Sequence, residues 1–207
     1  MNYGVNNLCE TRIIDSRMLG TEWSEDIILE NPGEARKIFV IFNERVPEKT
    51  RIRAYLRGRG ARLEILFGII GKKDNRANIE VACFHEGKDT FARVTARAAL
   101  FDESRLMVRG VLDVSQTARG SDTYFLGNAY MLSGSAHAEF FPHLEIKTSD
   151  VKASHGSSVG RVNERDLFYL ESRGIDRTAA LHILLGAFFR DIAQKIPETY
   201  HPIFFQC

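Results

Sequence analysis

The sequence predicts a mainly β fold made of many short strands. Over a long central region, apolar residues alternate with charged or polar residues, and clusters of Gly, Asp and Lys interrupt this alternation at regular, short intervals. Period-two alternation indicates strands with one face buried and one face in water. Evenly spaced short strands are typical of a sandwich, a barrel or a β-solenoid, and no strict repeat is visible that would select the solenoid.

The strand pattern runs from Lys37 to about Lys147. The alternating apolar positions are, in order, Ile52, Ala54 and Leu56; Leu63, Ile65 and Phe67; Ile79, Val81 and Cys83; Ala92, Val94, Ala96 and Ala98; Leu106 and Val108; Leu144 and Ile146. We therefore divide the chain into a poorly defined N-terminal segment at residues 1–36, a β core at 37–160 and a C-terminal helical region at 161–207.

Capping residues predict two helices in the C-terminal region. Asn163 is a good N-cap with Asp166 three residues later, Gly174 is suited to a left-handed C-terminal cap, and Asp176 caps the next helix. The second helix carries an apolar stripe at three- and four-residue spacing, which comprises Ala180, Ile183, Leu184, Ala187 and Phe188. The stripe packs either on the strand core or against a partner.

The composition and the first residues indicate the cellular compartment and the kinds of partner to expect. The 207 residues carry a formal net charge of +1, which gives no overall field toward nucleic acid or membrane. No apolar run approaches the roughly 18 residues of a membrane span. The first residues lack the pattern of a signal peptide. Cys9, Cys83 and Cys207 are too sparse for a disulfide framework, which favours a reducing cytoplasm.

The sequence lacks the usual motifs for metal binding and for phosphate binding. Its six histidines include no His-x-x-x-His pair, and there is no Cys-x-x-Cys. The glycine-containing run at residues 68–73 is too short for a phosphate-binding loop. We therefore expect that the protein does not hydrolyse ATP itself. The arginines at residues 51–62 fit the wet face of strands, so we expect no nucleic-acid binding.

A long motif lies before and within the helical region. Residues 154–160 read Ser-His-Gly-Ser-Ser-Val-Gly, residues 150–153 read Asp-Val-Lys-Ala, and residues 167–175 read Leu-Phe-Tyr-Leu-Glu-Ser-Arg-Gly-Ile. This pattern resembles the C-terminal signature of the SufB/SufD scaffold family of the SUF iron-sulfur assembly system, and the resemblance extends over about residues 50–195. It implies a right-handed parallel β-helix, that is, a β-solenoid, followed by a C-terminal helical hairpin.

The resemblance also implies a function. A scaffold of this kind is not an enzyme; it takes part in iron-sulfur cluster assembly and docks a SufC-like ABC-type ATPase through its C-terminal helices. The residues predicted to bind the partner are Leu167, Leu170, Ile183, Leu184 and Phe188. A second SufB/SufD-like subunit can join the assembly, and we expect a chain that acts alone to form a homodimer near His155.

His155 is the predicted metal- and cofactor-binding residue, for iron or a transient iron-sulfur cluster. It lies in what the sequence suggests is a turn of small residues, and neutral imidazole suits iron. The alternative is a turn histidine that bonds to a neighbouring carbonyl. Family members often carry a cysteine where this chain has Ala153, and SufB-type chains carry another in the region that is cysteine-free here at 127–131.

The chain is therefore similar to SufD rather than SufB. Two rival interpretations remain. In the first, the protein is a family relic that binds the ATPase without iron chemistry. In the second, it is a β-helix enzyme that acts on polysaccharides, although no ladder of carboxylates and basic residues is visible.

Overall fold

The molecule is a parallel β-solenoid with three C-terminal helices. It is a computed structural model that describes residues 9–43 and 46–205. Residues 1–8, which hold the N-terminal sequence considered above, and Cys207 lie outside the described residues. The strands are β1 (Cys9–Asp15), β2 (Glu22–Leu29), β3 (Ala35–Phe42), β4 (Lys49–Leu56), β5 (Arg62–Gly71), β6 (Arg76–His85), β7 (Phe91–Leu100), β8 (Arg105–Val114), β9 (Ser121–Met131), β10 (His137–Ile146) and β11 (Val151–Gly160). The helices are α1 (Glu164–Ser172), α2 (Arg177–Ala193) and α3 (Pro202–Phe205).

Successive strands alternate between two sheets. The first sheet has the order β1-β3-β5-β7-β9-β11, and the second has the order β10-β8-β6-β4-β2. Every pair of neighbouring strands is parallel, so Ile52 lies beside Val81 and Val81 beside Gly110. The β-solenoid implied by the family resemblance is confirmed. A sandwich of antiparallel hairpins is excluded because the chain changes sheet at every turn.

The core lies between the two sheets and follows the predicted alternation. Ile52, Ala54 and Leu56 of β4 are wholly buried, whereas Arg53 faces water and Tyr55 is half-buried. The first sheet is also buried on its outer face, where β3 and β5 carry continuous apolar runs. Runs of this kind are expected where helices cover a parallel sheet.

A repeat that the sequence did not reveal appears at one corner of the coils. Residues with left-handed backbone lie at positions 33, 60, 89 and 120, which are 27, 29 and 31 residues apart. Gly60 donates its backbone N–H to the Lys88 carbonyl of the next coil at 2.8 Å, and Asp89 does the same to Arg119 at 2.9 Å. Because Asp replaces Gly at one corner and the coils differ in length, the period is hidden in the sequence.

Two strand assignments differ from the sequence interpretation. Strands β1 and β2 lie inside the segment at 1–36 that received no elements, and they pair with β3 and β4. Residues 154–160 are not a turn: they form most of β11, which pairs with β9 along its whole length. The side chains there are too small to show an alternating pattern, and backbone pairing makes the strand.

The predicted helix signals are confirmed. Asn163 accepts a hydrogen bond from the Arg165 backbone N–H at 3.0 Å, and Asp176 accepts one from Ala179 at 3.0 Å. Gly174 has a φ of 85° and donates to the Glu171 carbonyl at 3.0 Å. Helix α1 therefore ends in a left-handed cap, and α2 turns back beside it.

Candidate functional site

The solenoid ends at β11 in the first sheet and β10 in the second. Among the described residues, no further strand pairs with the outer edge of either. An edge strand presents backbone N–H and C=O groups that can pair with another chain. This end of the molecule is therefore the first candidate site, and it contains the histidine singled out from the sequence.

His155 lies on the core-facing side of β11. Its partner in register is Phe125 of β9, which is wholly buried between the sheets, and paired residues of parallel strands point to the same face. His155 is nevertheless exposed, because no further coil among the described residues covers it. Ala153 and Val159 share this face, and Val159 is 41% exposed.

The outer face of β11 explains part of its small-residue composition. A side chain at Gly156 would approach the Tyr124 hydroxyl to 3.1 Å, and Ser158 accepts a hydrogen bond from the Asn128 side-chain amide at 2.6 Å. The small residues thus make room for the neighbouring strand β9. Gly156 and Ser158 lie on the face opposite His155, whereas the small residues Ala153 and Ser157 flank the imidazole on its own face.

Strand β10 contributes apolar side chains to the same end. The ring of Phe140 packs against Gly127, where an added Cβ would lie 2.3 Å from a ring carbon. Ile146 pairs with the buried Val114 but is itself 39% exposed. The end of the core is therefore partly apolar and open to solvent.

The described residues of one chain do not complete a cluster site. No group of three or more His, Cys, Asp or Glu side chains among them is placed to hold a metal ion. Cys83 is wholly buried on β6, and burial raises the pKa of its thiol to about 12. A thiol in that state is a poor metal ligand, because the thiolate is the binding form. His155 could supply one imidazole ligand, and the described residues do not add a complete set around it.

His85 is a buried titratable residue that the sequence did not distinguish. It is 1% exposed, and its Nδ1 lies 2.7 Å from the Thr90 hydroxyl, which lies 2.7 Å from the Ser121 hydroxyl. Among the described residues its Nε2 has no hydrogen-bond partner. Desolvation lowers the pKa of His85 to about 4, against a smaller opposing effect of Asp113 and Asp122. The ring stays neutral and joins three coils at one corner.

The helical tail is the second candidate site. Of its five residues predicted to bind a partner, four are buried or partly buried and one is exposed. Leu167 is 3% exposed and packs with Val162 and Ala180. Leu170 and Leu184 are partly buried against the same cluster. Phe188 packs against Tyr130, with ring centroids 4.4 Å apart. Only Ile183 is exposed, at 48%.

Two exposed aromatic side chains on α1 were missed. Phe168 is 72% exposed and Tyr169 is 58% exposed, the largest exposures among the apolar and aromatic side chains of the described residues. The guanidinium of Arg173 lies 5.2 Å from the centre of the Tyr169 ring. Both residues stand in the family-like run at 167–175, so attention to that run rather than to apolar spacing would have found them.

The face of α2 that meets the solenoid also differs from the predicted stripe. Leu185, Phe189 and Ile192 are wholly buried against the outer face of the first sheet. The Arg97 guanidinium of β7 lies 2.8 Å from the Asp191 carboxylate and fixes this orientation. Because α2 is apolar on more than one side, spacing alone could not tell which side meets the sheet.

Parallel coils followed by capped helices place the chain among the β-solenoid proteins. Comparison of its sequence with known families then identifies its family. The family model described as "SUF system FeS cluster assembly, SufBD core domain" matches residues 27–188. The chain therefore belongs to the SufBD family. This confirms the resemblance drawn from the signature. Among the residues that the structure describes, no helix is long and apolar enough to cross a membrane.

Curated relatives of the chain are named as iron-sulfur cluster assembly proteins. A chloroplastic SufBD family protein of Arabidopsis thaliana is 28% identical over 125 residues, which are 60% of this chain and 22% of the relative. The iron-sulfur cluster assembly protein SufD of Escherichia coli is 31% identical over 107 residues, 52% of this chain and 25% of SufD. A SufBD family protein of Mycobacterium bovis is 38% identical over 105 residues, 49% of this chain and 26% of the relative. The matched stretch thus spans about a quarter or less of each relative.

Proposed function

We propose that this chain is a non-enzymatic scaffold in iron-sulfur cluster assembly that docks an ABC-type ATPase through its C-terminal helices, in the cytoplasm. The observation that carries the proposal is the extent of the family match, which runs through the coils, α1 and α2 up to residue 188. The exposed aromatics of α1 and Ile183 of α2 support a docking role for the helices. Interfaces are enriched in such aromatic side chains.

The docking proposal is tested with the ABC-type ATPase of the same organism. The two purified proteins, mixed at micromolar concentration, should elute together from a sizing column. Phe168→Asp should weaken the complex at least tenfold by calorimetry, whereas Ile28→Asp, an exposed apolar residue on the second sheet, should leave it unchanged. Separate elution of the wild-type chain and the ATPase would refute the proposal.

Substitutions are better than truncation for this test. The sequence suggests that the β core folds without residues 163–207. In the structure, however, α2 and Phe204 of α3 cover an apolar cluster on the first sheet that includes Phe39, Leu66 and Ile70. Removing the helices would expose these side chains to water, and the resulting loss of the complex would have two explanations.

Iron or a cluster is the cargo in this proposal, and His155 is the ligand that this chain supplies. Its position at the open end of the core puts the imidazole where a second scaffold subunit, or a second copy of this chain, can add the missing ligands. Soft thiolates normally hold clusters. Anaerobic reconstitution with iron and sulfide, alone and with the ATPase, should give cluster only in an assembly with more than one chain.

The relic hypothesis predicts a different result of the same reconstitution. A chain that binds the ATPase but has lost iron chemistry would form the complex and take up no iron under any condition. The absence of a described thiolate beside His155 is the observation that favours it. A polysaccharide-acting enzyme finds no comparable support.

A further inference from the structure

A groove lies on the outer face of the second sheet, close to where strands β6, β8 and β10 begin. Its volume is about 660 Å³, and the side chains that decide its chemistry are Arg76, Arg105, Met107 and His137. Helices α2 and α3 pack on the first sheet, so they leave this face of the solenoid open. The volume is within the range of about 300–1,000 Å³ in which proteins hold small molecules.

Two guanidinium groups and an imidazole stand in one row across the groove. Arg76 of β6 is the register partner of Arg105 of β8, and Arg105 is the register partner of His137 of β10. Register partners on neighbouring strands lie about 4.8 Å apart and point to the same face. All three residues are exposed. Like charges side by side on a sheet are destabilising, so the two arginines favour a negative charge between them.

Elsewhere on this face, basic and acidic side chains alternate between coils. The basic residues along β4 and just after it each lie within 3.0 Å of a carboxylate on a neighbouring coil; the pairs are Lys49–Glu22, Arg51–Glu80, Arg53–Asp26 and Arg57–Glu86. Arg76 and Arg105 break this rule. In the part of the chain that the structure describes, no carboxylate lies within 4 Å of either guanidinium, and neither makes a side-chain hydrogen bond or a ring contact.

The acidic residues in the groove do not neutralise the two arginines. The Glu139 carboxylate lies 3.1 Å from the His137 imidazole, to which it is paired. Glu48, the other acidic residue of the lining, lies more than 4 Å from both guanidinium groups. The counter-charge of Arg76 and Arg105 therefore has to come from a ligand.

Two neighbouring guanidinium groups select phosphate over carboxylate. A carboxylate has two oxygens, which one guanidinium fork satisfies, whereas a phosphoryl group offers three strong acceptor oxygens and can bridge two forks. The half-buried Met107 side chain adds an apolar surface beside the row. The groove is also larger than a phosphate ion alone requires, so it has room for an organic part of the ligand.

We propose that this groove binds a phosphate-bearing small molecule, with the phosphoryl group between Arg76 and Arg105 and the organic part along Met107. The site is on the second sheet, away from the helical tail and from the open end at His155. It stands independently of the proposed scaffold function.

Calorimetry with phenyl phosphate tests the site in the full chain. The wild type should bind phenyl phosphate with a dissociation constant below about 1 mM and bind benzoate about tenfold more weakly. Arg76→Gln and Arg105→Gln should each weaken phenyl phosphate binding about tenfold. The matched control is Arg57→Gln on the same face, where the guanidinium already pairs with Glu30 and Glu86, and it should change binding less than about twofold.

Thermal unfolding without ligand checks that the variants are folded. Arg105→Gln should melt at the wild-type temperature or above it, because it removes the repulsion between neighbouring guanidinium groups. Phenyl phosphate should raise the melting temperature of the wild type and not that of Arg105→Gln.

Four results would overturn the proposal. They are no heat of binding with the wild type, equal affinity of the wild type and Arg105→Gln, an equal loss in Arg57→Gln, and benzoate binding as tight as phenyl phosphate binding. A single-stranded DNA oligonucleotide is the remaining probe. If it bound more tightly than phenyl phosphate and required Arg105, the row would be a nucleic-acid surface and the small-molecule assignment would be wrong.

Discussion

At the scale of single residues, His155 combines exposure with a core-facing position. Its replacement by Ala removes little packing, because no coil covers the imidazole. We therefore expect His155→Ala to change the free energy of unfolding by less than about 0.5 kcal/mol and to abolish iron uptake in the ATPase complex. Thermal unfolding and iron analysis measure the two effects. A clearly lowered melting temperature with normal iron uptake would assign His155 a structural role instead.

Ala153→Cys is the companion change. Ala153 is two residues before His155 on the same face of β11, so a thiolate there would stand beside the imidazole. If His155 is a ligand to iron, the variant should retain more cluster after desalting than the wild type does. If the protein does not bind iron, cluster retention should be the same in the variant and the wild type.

His85 predicts how stability depends on pH. Its pKa is lowered by burial from 6.5 to about 4, so the folded protein resists protonation that the unfolded chain accepts. The free energy of unfolding should therefore be fully retained above pH 6.5 and fall as the pH drops from 6.5 to 4, by about 3 kcal/mol from this residue. Denaturant unfolding at a series of pH values measures the slope. His85→Gln should flatten that slope.

At the scale of the elements, two glycines make room for rings inside the solenoid. A Cβ at Gly110 would lie 2.4 Å from a ring carbon of Phe125, which is wholly buried. Gly110→Ala should therefore lower the free energy of unfolding by about 1–3 kcal/mol through overpacking. Gly134→Ala is the control, because nothing lies within 4 Å of its added Cβ. Equal melting temperatures for the two variants would contradict the packing argument.

The helices and the first sheet form one packing unit. Phe204 of α3 lies over Gly68 of β5, with a ring carbon 2.5 Å from where a Cβ would stand, and it stacks on Phe189 of α2 with centroids 4.8 Å apart. A chain that ends at Val162 should consequently bind a hydrophobic dye strongly and aggregate, because the outer face of the first sheet is left bare. A monomeric, dye-silent fragment would show that the coils alone suffice.

At the scale of the whole molecule, the open end predicts self-association when no other scaffold subunit is present. The edges of β10 and β11 are available for strand pairing, and Val159 and Ile146 add exposed apolar area. We expect a two-fold dimer by light scattering at micromolar concentration, with two His155 side chains near the axis. Val159→Glu should give monomers, whereas Ile28→Glu should not. A monomeric wild-type chain would refute this arrangement.

The sequence determined much of this architecture because local physical rules agree with the fold. Alternation at Ile52, Ala54 and Leu56 specified strands with a buried face, and Asn163, Gly174 and Asp176 specified where the helices begin and end. The signature at residues 150–175 identified the family, which in turn selected the solenoid among all-β folds.

Only the tertiary structure decided the remaining features, because each depends on contacts between distant coils. Residues 154–160 have no side-chain period of their own, so pairing with β9 makes them a strand and sets the face on which His155 lies. Helix α2 is apolar on several sides. It packs on the outer face of the first sheet through Leu185, Phe189 and Ile192, whereas Ile183 is exposed to solvent. Local patterns fix an element's type, whereas its exposed face is fixed by the surface that it packs against.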